Sequence, residues 1–247
     1  MSTERYTPGH NADAVRFMAG RSAESHANFL RPELRPGVSL LDCGCGPGVI
    51  TVGLAKIVSR GEVHGVDLFD EQFGDARAQA KAEGVAVTFH QASAYELPFE
   101  AAYFDVVFAN ALLEHLADPV AALREMARVL RPGGTVGVCS PDWGGFIVTP
   151  PSDELAHALE TYTALQRRNG GNPLAGRSLG TWVLEAGFNT VRVDARYERY
   201  EDLDRIAEYL ALQLNDVHPQ SARTLRAWAK QPGAMFAQAW VSVVAHR

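Results

Sequence analysis

Cysteine is scarce in this sequence: Cys43, Cys45 and Cys139 are its only three in 247 residues. An odd number of cysteines in a chain of this length argues against a disulfide framework. A structural zinc site takes four ligands, and no CxxC or HxxxH segment supplies a second pair beside Cys43 and Cys45. We therefore expect reduced thiols and no bound metal.

Long apolar runs and an excess of basic residues are also missing. No stretch reaches the roughly 18 consecutive apolar residues of a membrane-spanning helix, and the N-terminus lacks the basic flank and apolar run of a secretory signal. The formal net charge is -6, so no overall positive field attracts nucleic acid or anionic lipid. These absences predict a cytoplasmic protein that binds neither nucleic acid nor membrane.

Short β-rich runs and helical patterns alternate between residues 38 and 140, which is typical of βαβ units in a parallel sheet. A helix is predicted after Asp118, with Asp118 as N-cap and Pro119 at its first position. The predicted strands are 39–42, 62–67, 87–91, 104–110 and 135–140, followed by 190–200 and 240–245.

One domain over residues 1–247 is the predicted organisation, because no repeat or low-complexity linker divides the chain. Residues 1–36 read as a helical N-terminal cap and residues 37–140 as the core that binds a cofactor. Residues 141–175, which open with Gly/Pro-rich loops, and residues 201–234 read as helical insertions that form a lid.

The central motif is a strand, a GxGxG loop and a helix: Leu40 to Asp42, then Gly44, Gly46 and Gly48, then residues 49–59. Glycines let the backbone approach a ligand, and a helix N-terminus offers free N–H groups to an anion. Asp67 ends the next strand about twenty residues on, where a carboxylate can bind both ribose hydroxyls. A dinucleotide and S-adenosylmethionine both fit this pattern, but the dinucleotide fingerprint requires Gly or Ala where this chain has Val49.

Several motifs together resemble the class I S-adenosylmethionine-dependent methyltransferases, particularly the branch of the ubiquinone and menaquinone methyltransferases. The similar segments are residues 40–48, 63–67, 91–99, 104–107, 110–116 and 131–134. The resemblance implies an α/β fold with a doubly wound Rossmann-like sheet, mostly parallel with an antiparallel last strand, and helical insertions as a lid. It also implies S-adenosylmethionine as cofactor and S-adenosylhomocysteine as product.

The resemblance assigns cofactor binding to one set of residues: Asp42, Gly44, Cys45, Gly46, Gly48, Asp67, Leu68, Ser93, Ala94 and Asn110. One departure stands out. Where the family usually has Gly-Asp-Ala before Leu-Pro-Phe, this chain has Ala92-Ser93-Ala94, so the acid that would bind the adenine amino group is absent. The Ser93 hydroxyl can accept that hydrogen bond without the assistance of a charge.

Methyl transfer needs mainly an aligned nucleophile and methyl group, and it needs a base only when the nucleophile carries a proton. The catalytic candidates are His115, which follows the fourth strand, and His10 in the N-terminal segment; Asp142 and His218 are further possible bases. The alternative role for His115 is to shape its loop, since Glu-His-Leu before Asp-Pro is common in the resembling family. Tyr6 and Trp143 are the predicted contacts of a small-molecule substrate.

Three functions remain open from the sequence alone. The first is methyl transfer to the N, O or C atom of a small molecule. The second is an NAD(P)-dependent oxidoreductase, and the third is a protein or cyclase that binds S-adenosylmethionine without consuming it. The sequence leaves the acceptor and the oligomeric state undetermined.

Overall fold

A computed structural model of the chain describes residues 5–9 and 12–247. Its centre is a seven-stranded sheet in the order β3-β2-β1-β4-β5-β7-β6. The strands are β1 (Leu40–Cys43), β2 (Val63–Asp67), β3 (Thr88–Gln91), β4 (Phe104–Asn110), β5 (Leu130–Thr149), β6 (Asn189–Tyr200) and β7 (Met235–His246). Strands β1 to β5 pair in parallel, whereas β7 lies antiparallel between β5 and β6. The predicted mostly parallel sheet with an antiparallel last strand is confirmed.

Helices pack on both faces of this sheet. They are α1 (Ala12–Met18), α2 (Ala23–His26), α3 (Val49–Val58), α4 (Phe73–Ala82), α5 (Pro119–Val129), α6 (Asp153–Arg168), α7 (Ala175–Glu185), α8 (Leu203–Leu214) and α9 (Pro219–Ala229), with 3-10 helices at Asn28–Glu33 and Leu113–His115. No helix in these described residues is long and apolar enough to span a bilayer.

Local sequence explains where α5 begins. The Asp118 carboxylate accepts a hydrogen bond of 2.9 Å from the Ala121 N–H, and Pro119 occupies the first turn, where no hydrogen bond is lost. Leu123 and Met126 lie fully buried against the sheet. The helix predicted after Asp118 is confirmed. It could be predicted because its cap and its apolar residues lie within a few positions of each other in the sequence.

Strand β5 corrects two predictions. It was expected to cover residues 135–140, but it runs from Leu130 to Thr149. The Pro/Gly segments at each end read as loops, yet the long partner β7 pairs with Thr135–Asp142 and again with Phe146–Thr149. A bulge between Asp142 and Phe146 absorbs the intervening residues. The segment beginning at residue 141 therefore starts as strand.

The N-terminal region, predicted as a helical cap, is made of short helical pieces. Helices α1 and α2 are short, and a 3-10 helix follows them. Helices α6, α8 and α9 form a second apolar core with β5 and β7, which contains Trp143, Tyr162 and Phe236. Trp143, Tyr162 and Tyr209 of this second core also line the narrower of the two cavities described below.

Candidate active site

The glycine loop joins β1 to α3 as predicted, and Gly46 is its most open point. Gly46 has φ of +48°, and a Cβ atom at this position would meet nothing within 4 Å. Its N–H donates a hydrogen bond of 2.8 Å to Asp67 Oδ2. Backbone rather than side chain thus faces the open space, next to the first turn of α3.

Asp67 stands at the carboxyl end of β2, where the parallel strands open to ligands. Besides the Gly46 N–H, its carboxylate accepts a hydrogen bond of 3.2 Å from the Phe69 N–H through Oδ1. These two bonds hold the carboxylate at the wall of the cavity described next.

A cavity of about 200 Å³ lies against this loop. Nine of the ten predicted cofactor residues line it: Asp42, Gly44, Cys45, Gly46, Asp67, Leu68, Ser93, Ala94 and Asn110. The side chain of Leu68 is 56% exposed at the cavity, and Ser93 Oγ accepts a hydrogen bond of 3.1 Å from the Tyr95 N–H. The structure thus brings together residues from four strand ends that the sequence spreads over seventy positions.

Gly48 is not among the lining residues. It precedes α3 with φ of +73°, and a Cβ there would lie 2.7 Å from the Ala76 Cβ and 3.0 Å from the Phe89 ring. Packing of α3 against α4 and β3 therefore accounts for this glycine.

Two buried polar side chains indicate that the cavity suits a polar ligand. Asn110 is 7% exposed, and its Oδ1 has no hydrogen-bond partner among the described residues. Asp42 is 2% exposed and accepts a hydrogen bond of 2.6 Å from Thr51 Oγ1. Burial raises the pKa of Asp42 to about 7; the Thr51 bond opposes this rise and the nearby Asp67 charge adds to it.

A second, narrower cavity of about 30 Å³ adjoins the first. Tyr6, Arg21, Ala111 and His115 line both. The walls of the second cavity are mainly aromatic and come from the N-terminal region, from β5, β6 and β7, and from the helices α6 and α8. They include Phe17, Trp143, Tyr162, Tyr200, Tyr209 and Trp240. Its volume admits only a small chemical group.

His115 stands at the junction of the two cavities, with its ring centroid 4.8 Å from that of Tyr6 in an edge-to-face arrangement. Burial lowers the pKa of His115 to about 3, and the Arg21 charge adds to this effect. The imidazole is consequently neutral at physiological pH, and one of its nitrogens can accept a proton.

Glu114 is a residue that the sequence analysis missed. It lines the second cavity and is 2% exposed; its Oε2 accepts a hydrogen bond of 2.8 Å from Ser140 Oγ, and its Oε1 lies 3.8 Å from His115 Nε2. Burial raises the pKa of Glu114 to about 7, against the effects of hydrogen bonds and of Arg21. Its neighbour His115 had drawn attention, but nothing in the sequence indicated that Glu114 would be buried.

The remaining candidates are spread across the molecule. His10 lies outside the described residues. Asp142 lines neither cavity: its carboxylate accepts four hydrogen bonds of 2.8–2.9 Å from Gly144 and Arg177. His218 caps α9 by accepting a 3.2 Å hydrogen bond from the Ser221 N–H. Trp143, expected in a loop, lies on β5 and lines only the second cavity.

Comparisons with known proteins identify the family. The methyltransferase domain family matches residues 41–138. An uncharacterized methyltransferase of Schizosaccharomyces pombe is 35% identical over 190 residues, which cover 74% of this chain and 68% of that protein. A ubiquinone/menaquinone biosynthesis C-methyltransferase of Bdellovibrio bacteriovorus is 39% identical over 104 residues, covering 42% of this chain and 44% of the relative.

The fold is also similar to that of solved methyltransferase structures. The crystal structure of a candidate methyltransferase from Bacillus halodurans C-125 superposes with a TM-score of 0.66 at 18% identity, covering 89% of this chain and 97% of the other. The chain belongs to the methyltransferase family. It is a class I S-adenosylmethionine-dependent methyltransferase that resembles the ubiquinone and menaquinone enzymes. The alternative of an NAD(P)-dependent oxidoreductase is therefore wrong.

Proposed function

We propose that this enzyme methylates a small-molecule acceptor whose reacting end enters the second cavity. The observation that carries the proposal is the shared wall: Tyr6, Arg21 and His115 line both cavities, so the second cavity, an aromatic chamber, lies directly beside the proposed cofactor site. The Bdellovibrio relative is named for ubiquinone and menaquinone biosynthesis, which supports a small molecule as acceptor. Aromatic side chains interspersed with polar groups such as Arg21, Glu114 and Gln166 line the second cavity, a combination that suits a small-molecule ligand.

S-adenosylmethionine supplies an electrophilic methyl group on a sulfonium and leaves as the neutral thioether S-adenosylhomocysteine. The glycine loop and Asp67 would hold the cofactor, with Asn110 Oδ1 as an available acceptor for one of its donors. Arg21, whose guanidinium stacks 5.3 Å from the Trp240 ring centroid, carries positive charge at the junction.

The chamber would orient the acceptor through two buried amides. Gln166 Oε1 and Gln238 Nε2 line it without a hydrogen-bond partner among the described residues, so they present one acceptor and one donor. A polar group on the acceptor can satisfy both, and burial makes unsatisfied amide atoms costly. Holding the nucleophile in line supplies most of the acceleration in such a transfer.

Proton removal, where the acceptor carries a proton, is the role we assign to His115 with Glu114 beside it. An imidazole with a pKa of about 3 is a weak base, but an ionised Glu114 carboxylate 3.8 Å from Nε2 stabilises the imidazolium. The rate for such an acceptor should therefore rise with pH as Glu114 ionises near pH 7. In a Glu114→Gln variant this rise should disappear, whereas a merely structural role would leave the pH profile unchanged.

The N-terminal residues 1–36 and the segments 141–175 and 201–234 are proposed to act as cap and lid around the core 37–140 within a single domain. Tyr6 from the cap and Trp143, Tyr162 and Tyr209 from the two segments line the chamber. These segments would thus select the acceptor, while the core holds the cofactor.

The first test is calorimetric titration with S-adenosylmethionine, S-adenosylhomocysteine and NADH, followed by an acceptor screen that records release of S-adenosylhomocysteine. We expect both sulfur ligands to bind, NADH not to bind, and at least one small phenol, enol or amine to cause turnover. Binding without S-adenosylhomocysteine release for any acceptor would contradict methyl transfer to small molecules and would favour the cyclase or scaffold alternative.

A further inference from the structure

Strand β6 is a long edge strand with an unusual exposure. It ends the sheet, and no strand among residues 5–9 and 12–247 pairs with its outer side. Nine of its twelve residues are exposed. Val193 and Tyr197 are 54% and 57% exposed, values that are high for apolar side chains in a strand.

A third exposed apolar side chain adjoins these two. Gly180 of α7 approaches Val193 so closely that a Cβ on it would lie 3.2 Å from Val193 Cγ2. Leu184 follows one turn later on the same face of α7 and is 58% exposed. Leu184, Val193 and Tyr197 are thus exposed apolar side chains near the open edge, on one face of the sheet.

The opposite face of β6 carries charges that alternate in sign: Arg192, Asp194, Arg196 and Glu198. Edge strands are commonly protected from association by charge, usually of one sign. Here the signs alternate, so the edge repels a partner strand in some registers and attracts it in others. Arg192 donates a hydrogen bond to the Phe29 carbonyl, and Arg196 donates one to the Ser25 carbonyl and one of 3.1 Å to Glu198 Oε2 in the same strand. Both guanidinium groups carry further N–H donors.

We propose that β6 pairs antiparallel with β6 of a second copy, which gives a homodimer with a continuous fourteen-stranded sheet. The two-fold axis of this dimer passes between the two Ala195 residues, which lie opposite each other. In this register Asp194 lies opposite Arg196 of the second copy, and Arg192 lies opposite Glu198. By the two-fold symmetry each contact occurs twice. On the other face Val193 lies opposite Tyr197.

The charges distinguish this register from its neighbours. A two-fold axis perpendicular to the sheet pairs residues whose side chains lie on the same face of the sheet. The axis can therefore pass through any residue of β6, and neighbouring registers differ by a shift of the axis by one residue. Centring on Asp194 would place Arg192 opposite Arg196, and centring on Arg196 would place Asp194 opposite Glu198. Both put like charges together, whereas the Ala195 centre pairs all four charges with opposite ones.

The backbone at the centre is available for pairing. The Ala195 N–H donates a 2.8 Å hydrogen bond to its neighbour Asp194 Oδ1, an acceptor in its own strand, and we infer from this bond that the N–H points outward from the sheet. In the dimer this N–H would instead donate to the Ala195 carbonyl of the second copy, which frees the Asp194 carboxylate for Arg196.

Sedimentation equilibrium of the full chain tests the proposal. We expect the wild type to dimerise with a dissociation constant on the order of micromolar, and Asp194→Arg or Arg196→Asp alone to raise it about tenfold or more. The double exchange Asp194→Arg with Arg196→Asp restores opposite charges across the axis and should restore dimerisation. Arg199→Glu, on the apolar face and without a charged partner in this register, is the matched control.

The double exchange separates pairing from misfolding, because a second substitution would not repair a damaged monomer. Thermal melts of each variant accompany the sedimentation data, and Ala195→Pro removes the outward N–H as an independent test. A wild type that stays monomeric at the highest concentration reached would overturn the proposal. So would single charge variants that dimerise as tightly as the wild type, or a double exchange that fails to restore the dimer while its melt is normal.

Discussion

At the scale of single residues, Asp67 is the side chain whose loss should weaken cofactor binding most. It holds the Gly46 N–H and faces the cavity at the carboxyl end of β2. Hydrogen bonds to a charged carboxylate are each worth roughly 1.5–3 kcal/mol, so Asp67→Ala should raise the dissociation constant for S-adenosylmethionine roughly 10- to 100-fold. Calorimetry measures this.

The matched control for that experiment is Asp70→Ala. Asp70 follows three residues later, is exposed and does not line the cavity. Its substitution should leave cofactor affinity unchanged. Equal affinity of the Asp67 variant and the wild type would show that Asp67 does not bind the cofactor.

Glu114 should make the stability of the enzyme depend on pH. Burial raises its pKa from 4.5 to about 7 in the folded protein. A carboxyl whose folded pKa exceeds its unfolded value contributes a stabilisation that is complete below the unfolded pKa and is lost as the pH rises through the folded pKa. Relative to Glu114→Gln, the free energy of unfolding of the wild type should therefore fall by roughly 3 kcal/mol from below pH 4.5 to above pH 7.

Urea unfolding of both proteins across this pH range measures the difference directly. The comparison cancels the titration of Asp42, which also has a pKa raised to about 7. Parallel pH dependences for the wild type and the variant would mean that Glu114 is not buried in its neutral form.

At the scale of secondary-structure elements, the approach of α3 to α4 depends on Gly48. Its φ of +73° disfavours other residues, and a Cβ would come within 2.7 Å of the Ala76 Cβ. We expect Gly48→Ala to destabilise the protein by roughly 1–3 kcal/mol. Gly74 in α4 is the control, since a Cβ there meets nothing within 4 Å; Gly74→Ala should stabilise by roughly 0.5–1 kcal/mol. Thermal unfolding that shows no difference between the two variants would contradict this packing.

The bulge of β5 is joined to α7 through Asp142. This carboxylate is 3% exposed; burial raises its pKa, but hydrogen bonds from Arg177 and Gly144 outweigh burial and hold the pKa below its usual value. Asp142→Ala should cost roughly 3 kcal/mol of stability, because it removes an acceptor from the first turn of α7. Asp142→Asn keeps one acceptor oxygen and should recover part of the loss in chemical unfolding. A loss confined to activity, with unchanged stability, would instead indicate a direct catalytic role for Asp142.

At the scale of the whole molecule, cofactor binding should raise resistance to unfolding. A ligand at 100 times its dissociation constant stabilises the folded state by about 2.7 kcal/mol, which for a chain of this size shifts the melting temperature by roughly 5–10 °C. Differential scanning fluorimetry should show this shift with S-adenosylmethionine and S-adenosylhomocysteine. NADH should give none, and Asp67→Ala should need far more ligand for the same shift.

The sequence by itself determined the elements whose cause is local. The GxGxG loop, Asp67 at the next strand end and the capped helix after Asp118 were all predictable, because turns, caps and apolar periodicity involve residues close together in the chain. The family motifs extended this to a mostly parallel sheet with an antiparallel last strand and to the cofactor. The same family motifs predicted ten cofactor residues, and nine of these ten line one cavity.

Only the tertiary structure decided what depends on distant partners. The length of β5 follows from its pairing with β7, about one hundred residues later in the chain, which overrides the loop signals of proline and glycine. The need for Gly48 comes from Ala76 and Phe89, and the altered pKa values of Glu114 and His115 come from burial under the N-terminal region and the helices of the second core. Burial and long-range strand pairing depend on residues throughout the fold, so they cannot be predicted from a local stretch of sequence.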